Sequence, residues 1–173
     1  MLSAFSMGVT GNGMAQVASG EGFGPKLQFG GGVSFDARIP FAGGIGMGAS
    51  LEVARLWPSD AKGGFLYRGY GGSSLGISIL AQGTLVSVER IGSLVAGGAV
   101  GAAACFASYE YTTLYYFYPE VRVEGFLDFI PAPLPFLALS VSIPLRVQFR
   151  RDLAWSVSTG MGLSVRYVFG SGT

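Results

Sequence analysis

Charged residues recur at every second position in several segments of this chain, a spacing that can bring opposite charges together. Glu120, Arg122 and Glu124 follow one another in this way, as do Asp36 and Arg38. Because side chains alternate between the two faces of a strand, residues two apart share a face. Facing carboxylates and guanidinium groups form ion pairs, so we expect a network of paired charges on one side of a sheet. The residues assigned to this network are Asp36, Arg38, Glu52, Arg68, Glu120, Arg122, Glu124, Asp128, Arg146, Arg150 and Arg166.

The chain offers little for chemistry beyond ion pairing. Its 173 residues include no histidine, and Cys105 is the sole cysteine. This excludes histidine metal sites, Ser/His or Cys/His catalysis, and a disulfide within the chain. A covalent catalyst built from Ser, Lys, Asp and Glu remains open, but no such groups stand at a recognisable spacing. We therefore predict a non-enzymatic protein with no catalytic, metal or cofactor-binding residues.

Strands are the elements that would position these charges. Apolar and polar residues alternate most strictly over residues 26–39, 137–149 and 155–169, which is the pattern of strands with one apolar face. The same pattern predicts strands within residues 1–20, over 43–57, from Phe65 to about residue 79, over 94–110 and over 115–129. Between residues 80 and 93 the alternation loses its phase, so the fourth strand either ends there or contains a bulge.

The number and length of these strands predict a closed barrel. Eight strands follow one another with short turns, and several are much longer than the ~5–6 residues typical of soluble domains. Eight antiparallel up-and-down strands can close into a barrel that leaves no edge exposed. We predict a single all-β barrel domain over residues 1–169, followed by a short flexible tail at 170–173.

The apolar face of the strands is predicted to lie outward, toward lipid. Charged residues make up 12% of the chain, against about 25% in soluble domains, and no segment provides the ~20 apolar residues of a spanning helix. The strand charges share the face that carries glycine and serine, with Arg55 as the exception. Arginine or lysine at a lipid-facing midplane costs roughly 2–4 kcal/mol, so a bilayer would enforce this distribution.

Aromatic residues at the ends of the apolar face support the same orientation. Rings are favoured at the two membrane interfaces, where they form girdles around a barrel. The girdle residues assigned from the sequence are Trp57, Phe65, Tyr67, Tyr115, Phe117, Phe129 and Trp155. The tyrosine-rich segment 109–118 is interpreted as part of a girdle, or alternatively as an aromatic platform for a sugar, lipid or partner.

The last strand carries the most specific resemblance. Leu163, Val165, Tyr167 and Phe169 resemble the alternating, aromatic-ended signal that the outer-membrane assembly machinery reads. With these residues, the chain resembles the small eight-stranded outer-membrane barrels of diderm bacteria, the OmpA, OmpX and OmpW-like group. It departs from many members in its GSGT extension beyond the aromatic residue. The resemblance implies an integral outer-membrane protein that contacts the assembly machinery, with both termini in the periplasm and the opposite tips facing outward.

The functions that this resemblance implies are varied. The main hypothesis is a structural barrel or a narrow OmpW-like conduit for small or hydrophobic molecules. A surface adhesin and a soluble lipocalin-like ligand-binding barrel are the alternatives. A net charge of +1 gives no reason to expect nucleic acid as a partner, and we expect a monomer with no cofactor.

Overall fold

The computed structural model describes residues 5–20, 23–57, 72–89, 92–109, 115–149 and 155–169. Each strand pairs antiparallel with the next, and the eighth pairs with the first, so the sheet is a closed barrel. The predicted eight-stranded antiparallel barrel is therefore confirmed. The beginning of the fourth strand near Phe65 and the tail at 170–173 lie outside the described residues. The strands are β1 (Ser6–Gly20), β2 (Phe23–Pro40), β3 (Ile45–Leu56), β4 (Gly72–Glu89), β5 (Gly92–Tyr109), β6 (Tyr115–Pro131), β7 (Leu137–Gln148) and β8 (Trp155–Val168).

The barrel has two ends that the connections distinguish. The β1–β2, β3–β4, β5–β6 and β7–β8 connections lie at one end, here called the tip end. At the other, the terminal end, lie the start of β1, the end of β8 and the remaining turns. One of these turns holds a 3₁₀ turn at Ala42–Gly44, in which Gly43 and Gly44 both have a φ of 76°. Glycine adopts this left-handed conformation without the strain that a side chain would cause.

The strands are strongly tilted against the barrel axis. Register partners followed once round the barrel lead from Ser6 through Arg38, Gly48, Leu80, Gly101, Arg122, Arg146 and Ser158 to Gln16. The path thus returns to β1 ten residues nearer the tip end, which gives a shear number of ten. A tilt of about 35–45° is typical of barrels. Residues distant in sequence are consequently brought to the same height inside the lumen.

The segment between residues 80 and 93, where the apolar–polar alternation loses its phase, contains a register shift. β4 continues to Glu89, and its pairing with β5 shifts between Thr84 and Val86. β3 pairs with β4 only as far as Gly83. One extra residue in β4 reverses which side chains face each way, because the side-chain period of a strand is two. The bulge alternative is therefore the correct one.

The distribution of polarity is inverted relative to a soluble protein. Along β8, Leu163 and Val165 are 57% and 54% exposed, whereas Ser164 and Arg166 between and beside them are buried. The largest fully buried side chains include Gln16 and Gln28. The core of the barrel is thus polar and its outer wall is apolar. Among the described residues, no helix is long and apolar enough to cross a membrane.

Candidate functional site: a charged lumen inside an apolar belt

Glu52 and Arg146 form the centre of a group of ion pairs in the tip half of the lumen. Arg146 Nη1 donates to Glu52 Oε1 at 2.7 Å, and its Nε lies 4.0 Å from Glu120 Oε1. Asn12 also donates to Glu52 at 3.2 Å, and Gln148 donates to Glu120 at 3.0 Å. Each carboxylate therefore has both a cation and a neutral donor. Such pairing is what the burial of a charge requires.

Arg122 joins this group to the terminal half of the lumen. Its Nη1 lies 3.4 Å from Glu52 Oε2, and its Nη2 lies 2.9 Å from Glu124 Oε2. Glu124 in turn lies 3.9 Å from Arg38. The charges thus form one continuous chain of contacts along the barrel axis.

Asp128 is the centre of the second group of ion pairs, near the terminal end. It accepts from Arg38 Nη1 at 3.1 Å and from Arg166, and Ser140 contacts both Asp128 and Arg166. Arg166 Nη1 also lies 3.6 Å from Asp36. The Arg38 guanidinium carbon stands 4.5 Å from the centre of the Phe126 ring, which is a cation–π contact.

The structure brings together those members of the sequence-assigned network that it describes. All of Asp36, Arg38, Glu52, Glu120, Arg122, Glu124, Asp128, Arg146 and Arg166 take part in this chain of contacts. Arg68 and Arg150 lie outside the described residues. Among the described residues, no group of three His, Cys, Asp or Glu side chains could hold a metal ion.

Neutral polar residues that the sequence analysis did not assign complete the lumen. Gln16 donates to Ser156 at 2.6 Å and to Gln148 at 3.2 Å, and Gln28 donates to the Trp57 carbonyl at 2.6 Å. These amides lie toward the tip end, beyond the ion pairs. They lie at inward-facing positions of their strands, as the charged residues do. The alternation along each strand could therefore have identified them.

The lumen holds two small cavities that β4 and β5 border in part. A cavity in the tip half is bordered there by Ser74, Ser78, Ala103 and Cys105. A second cavity in the terminal half is bordered by Leu80, Gln82 and Ala99 of the same strands. Arg122 borders both cavities. The small cavities are thus bordered by ion-paired residues as well as by β4 and β5.

On the outer wall, aromatic residues stand at both ends of the apolar belt. Trp57, Phe117 and Trp155 are exposed toward the tip end, and Phe129 is exposed toward the terminal end. Of the other girdle residues assigned from the sequence, Phe65 and Tyr67 lie outside the described residues. Tyr115 begins β6, but its side chain is not among those described.

The four residues assigned from the sequence to an assembly signal are all exposed, three of them on β8 and Phe169 directly after its end. Leu163 and Val165 are within the apolar belt, and Tyr167 and Phe169 are at its terminal edge. The Phe169 ring lies 5.2 Å from that of Phe5 and 4.7 Å from that of Tyr167. Phe169 N donates to Phe5 O at 2.8 Å, so the pairing of the two terminal segments continues beyond β8.

Together, the closed antiparallel sheet, polar lumen and apolar outer wall define an eight-stranded β-barrel with the polarity of a membrane-spanning barrel. Neisserial surface protein A (NspA) has a similar structure, with a TM-score of 0.58 over 94% of this chain and 97% of that chain, at 13% identity. Ail, the attachment invasion locus protein of Yersinia pestis, aligns over 96% of this chain and 100% of that chain, with a TM-score of 0.49 and 14% identity. Both are small eight-stranded outer-membrane barrels.

The comparisons confirm the resemblance at the level of the fold. At 13% identity the NspA structure shows a shared fold alone. No protein-family model and no curated protein matches the chain. The lumen and the outer wall are therefore the features that bear on function.

Proposed function

We propose that this chain is an integral outer-membrane barrel with a structural role, whose lumen is closed by its own ion pairs. The observation that carries this proposal is the chain of contacts from Glu120 to Asp36, which runs through Arg146, Glu52, Arg122, Glu124, Arg38, Asp128 and Arg166. A solute that crossed the lumen would have to separate buried opposite charges. Breaking such a pair is strongly unfavourable, since it leaves an uncompensated charge.

Solute entry into liposomes tests this closed state. Liposomes that contain the purified wild-type protein should admit urea or glycerol no faster than protein-free liposomes. Arg122→Ser is the matched open control, because it removes a large side chain that borders both cavities. Rapid entry through the wild-type protein would contradict the structural proposal.

A narrow conduit for small molecules is the second candidate, and the two lumen cavities favour it. The tip-half cavity is bordered by Glu52, Glu120, Arg122 and Arg146, and the other by Asp36, Glu124, Arg38 and Arg122. Each cavity thus faces equal numbers of carboxylates and guanidinium groups, which favours uncharged polar solutes. The same liposome measurement decides between the candidates, since a conduit would admit urea through the wild-type protein.

The proposed placement in the outer membrane extends to an orientation and to the assembly of the barrel. Short turns at the terminal end suit the periplasmic side, where outer-membrane barrels have their short connections. Tyr167 and Phe169, exposed at that end, suit recognition by the assembly machinery. The proposal keeps the protein monomeric and free of any catalytic role.

Replacing both rings with alanine tests the recognition role. Tyr167→Ala with Phe169→Ala should lower the assembled amount in cells more than it lowers refolding in detergent, because a packing defect would act equally in both settings. Met161→Ala serves as the control for lost apolar area on the same strand, because Met161 is exposed on the outer face of β8 and lies outside the assigned signal. Equal losses in the two settings would reduce the role of these rings to packing.

A further inference from the structure

One edge of β4 loses its partner before the strand ends. β3 pairs with β4 only as far as Gly83, whereas β5 pairs with β4 through Glu89. A Cβ placed on Gly44 would lie 3.6 Å from Thr84 Cβ, so the turn before β3 reaches as far as Thr84. No described strand pairs with the following residues on the side away from β5. We call this side of residues 85–89 the β4 edge.

The segment that carries the β4 edge is exposed on both of its faces. In β8, exposed and buried residues alternate, because one face of that strand lines the lumen. Residues 84–89 are instead all exposed, and Leu85 is 79% exposed. A strand is exposed on both faces only where nothing packs against its inner side. The end of β4 therefore projects beyond the packed lumen at the terminal end.

The β4 edge also lies beyond the hydrocarbon of the membrane. The outward residues of β4 from Leu75 to Gly83 span nine positions. A tilted membrane strand needs about 9–11 residues to cross the hydrocarbon. An open sheet edge is not tolerated inside the hydrocarbon, because lipid tails offer no hydrogen bonds to the backbone. The β4 edge is thus accessible from the aqueous side at the terminal end.

Other strands that end at this side of the barrel are protected against pairing. β2 and β6 end with Pro40 and Pro131, which have no N–H to leave unpaired. Leu134 N donates to Pro131 O at 3.0 Å, so this carbonyl has a partner as well. Residues 85–89 contain neither proline nor lysine, which are residues that commonly prevent pairing at a sheet edge. The bulge lies at the start of this segment, and regular register with β5 resumes at Val86.

A second copy of the chain in the same membrane does not fit the β4 edge. Barrel strands tilt by about 35–45° from the barrel axis. Two copies related by a twofold axis along the membrane normal would bring their β4 edges together at roughly 70–90°, which is twice that tilt. Neighbouring strands of a sheet differ by only about 20–25° in direction. A strand that pairs with the β4 edge must therefore come from a different molecule.

We propose that the β4 edge binds an extended peptide segment of another protein, which adds to β4 as an antiparallel strand. Backbone N–H and C=O groups of alternate residues supply the hydrogen bonds. Val86 and Val88 share the outer face, so the peptide has apolar side chains beside them. Ser87 and Glu89 share the other face, where polar side chains and a basic residue suit the carboxylate. The proposal goes beyond the structural role proposed above and uses it only to place the partner in the periplasm.

Peptide binding to the refolded barrel in nanodiscs tests the proposal. The probe is a fluorescent peptide of about eight residues in which valine alternates with lysine or threonine. Two control peptides have the same sequence with N-methyl groups on either the odd or the even residues, so that each lacks the backbone donors of one edge. We expect saturable binding of the probe, about tenfold weaker binding of one control and unchanged binding of the other.

Amide hydrogen exchange and a charge reversal locate the bound peptide. Exchange at residues 85–89 should slow by about tenfold when the probe is bound, whereas exchange around Ile77 should not change. Glu89→Lys should weaken binding of the lysine-containing probe by about two- to fivefold, as expected for an exposed ion pair. The same variant should prefer a peptide in which glutamate replaces lysine.

Each other outcome overturns the proposal. Absence of saturable binding excludes a peptide site, and equal binding of the probe and both N-methylated controls reduces the interaction to apolar adsorption. Slowed exchange at another strand excludes the β4 edge. Exchange at residues 85–89 that slows with protein concentration in the absence of peptide would show that a second copy occupies the edge. The gel mobility of unheated samples shows that each variant is folded, so a negative result here leaves the proposed integral barrel intact.

Discussion

Two walls of this barrel, one made of β4 and β5 and the other of β6, β7 and β8, have similar outer faces and different inner faces. β6, β7 and β8 place Glu120, Arg122, Glu124, Asp128, Arg146 and Arg166 in the lumen, whereas β4 and β5 place Ser74, Gly76, Ser78, Ala103 and Cys105 there. On the outside, both walls present apolar residues such as Ile77 and Leu163. The bilayer requires every strand to present an apolar outer face. The lumen requires only that its charges be paired and that its side chains fit the space. Neighbouring walls can therefore differ in charge.

The largest expected effect concerns the apolar outer face that both walls present to the lipid. Leu163→Arg should prevent insertion, because an arginine at the lipid-facing midplane costs roughly 2–4 kcal/mol. Ser164→Arg is the matched variant on the next residue, whose side chain borders the cavity of the terminal half. We expect it to fold with a reduced yield that is limited by space. Folding yield into vesicles measures both variants, and equal tolerance of arginine at the two positions would reverse the assignment of faces.

The charged inner wall should show strong coupling between partners. Arg146→Met leaves Glu52 with the more distant guanidinium of Arg122, at 3.4 Å. It leaves Glu120 with the hydrogen bond from Gln148. Removing one partner of a buried pair costs about 3–5 kcal/mol. The double variant Arg146→Met with Glu52→Gln should cost less than the sum of the single variants, with a coupling of about 0.5–3 kcal/mol. Urea unfolding from vesicles supplies the four free energies, and simple additivity would count against a network.

Whether the sequence could predict a contact in the lumen depends on whether its two residues lie in the same strand. Alternation within a strand identifies the inner face, and it makes the contact between Arg122 and Glu124 of β6 foreseeable. The contact of Glu52 in β3 with Arg146 in β7 crosses the lumen, and the strand stagger brings the two to similar heights. Stagger depends on pairing register, which alternation does not contain. The sequence also could not distinguish a bulge after Thr84 from a turn, because a turn and an extra residue both interrupt the alternation.

The smallest effect compares one substitution on each inner wall. Ser140→Val removes a buried hydroxyl that contacts Asp128 and Arg166, so we expect a loss of about 1–3 kcal/mol. Ala103→Val extends two methyl groups toward the cavity beside β5 and should change stability by less than about 1 kcal/mol. Both variants introduce the same β-branched residue into a strand, so their difference reports the surroundings and not strand propensity. Urea midpoints measured in the same vesicles should place Ser140→Val well below Ala103→Val. The reverse order would mean that the uncharged wall is the more tightly packed of the two, and that the cavities along it close in the membrane.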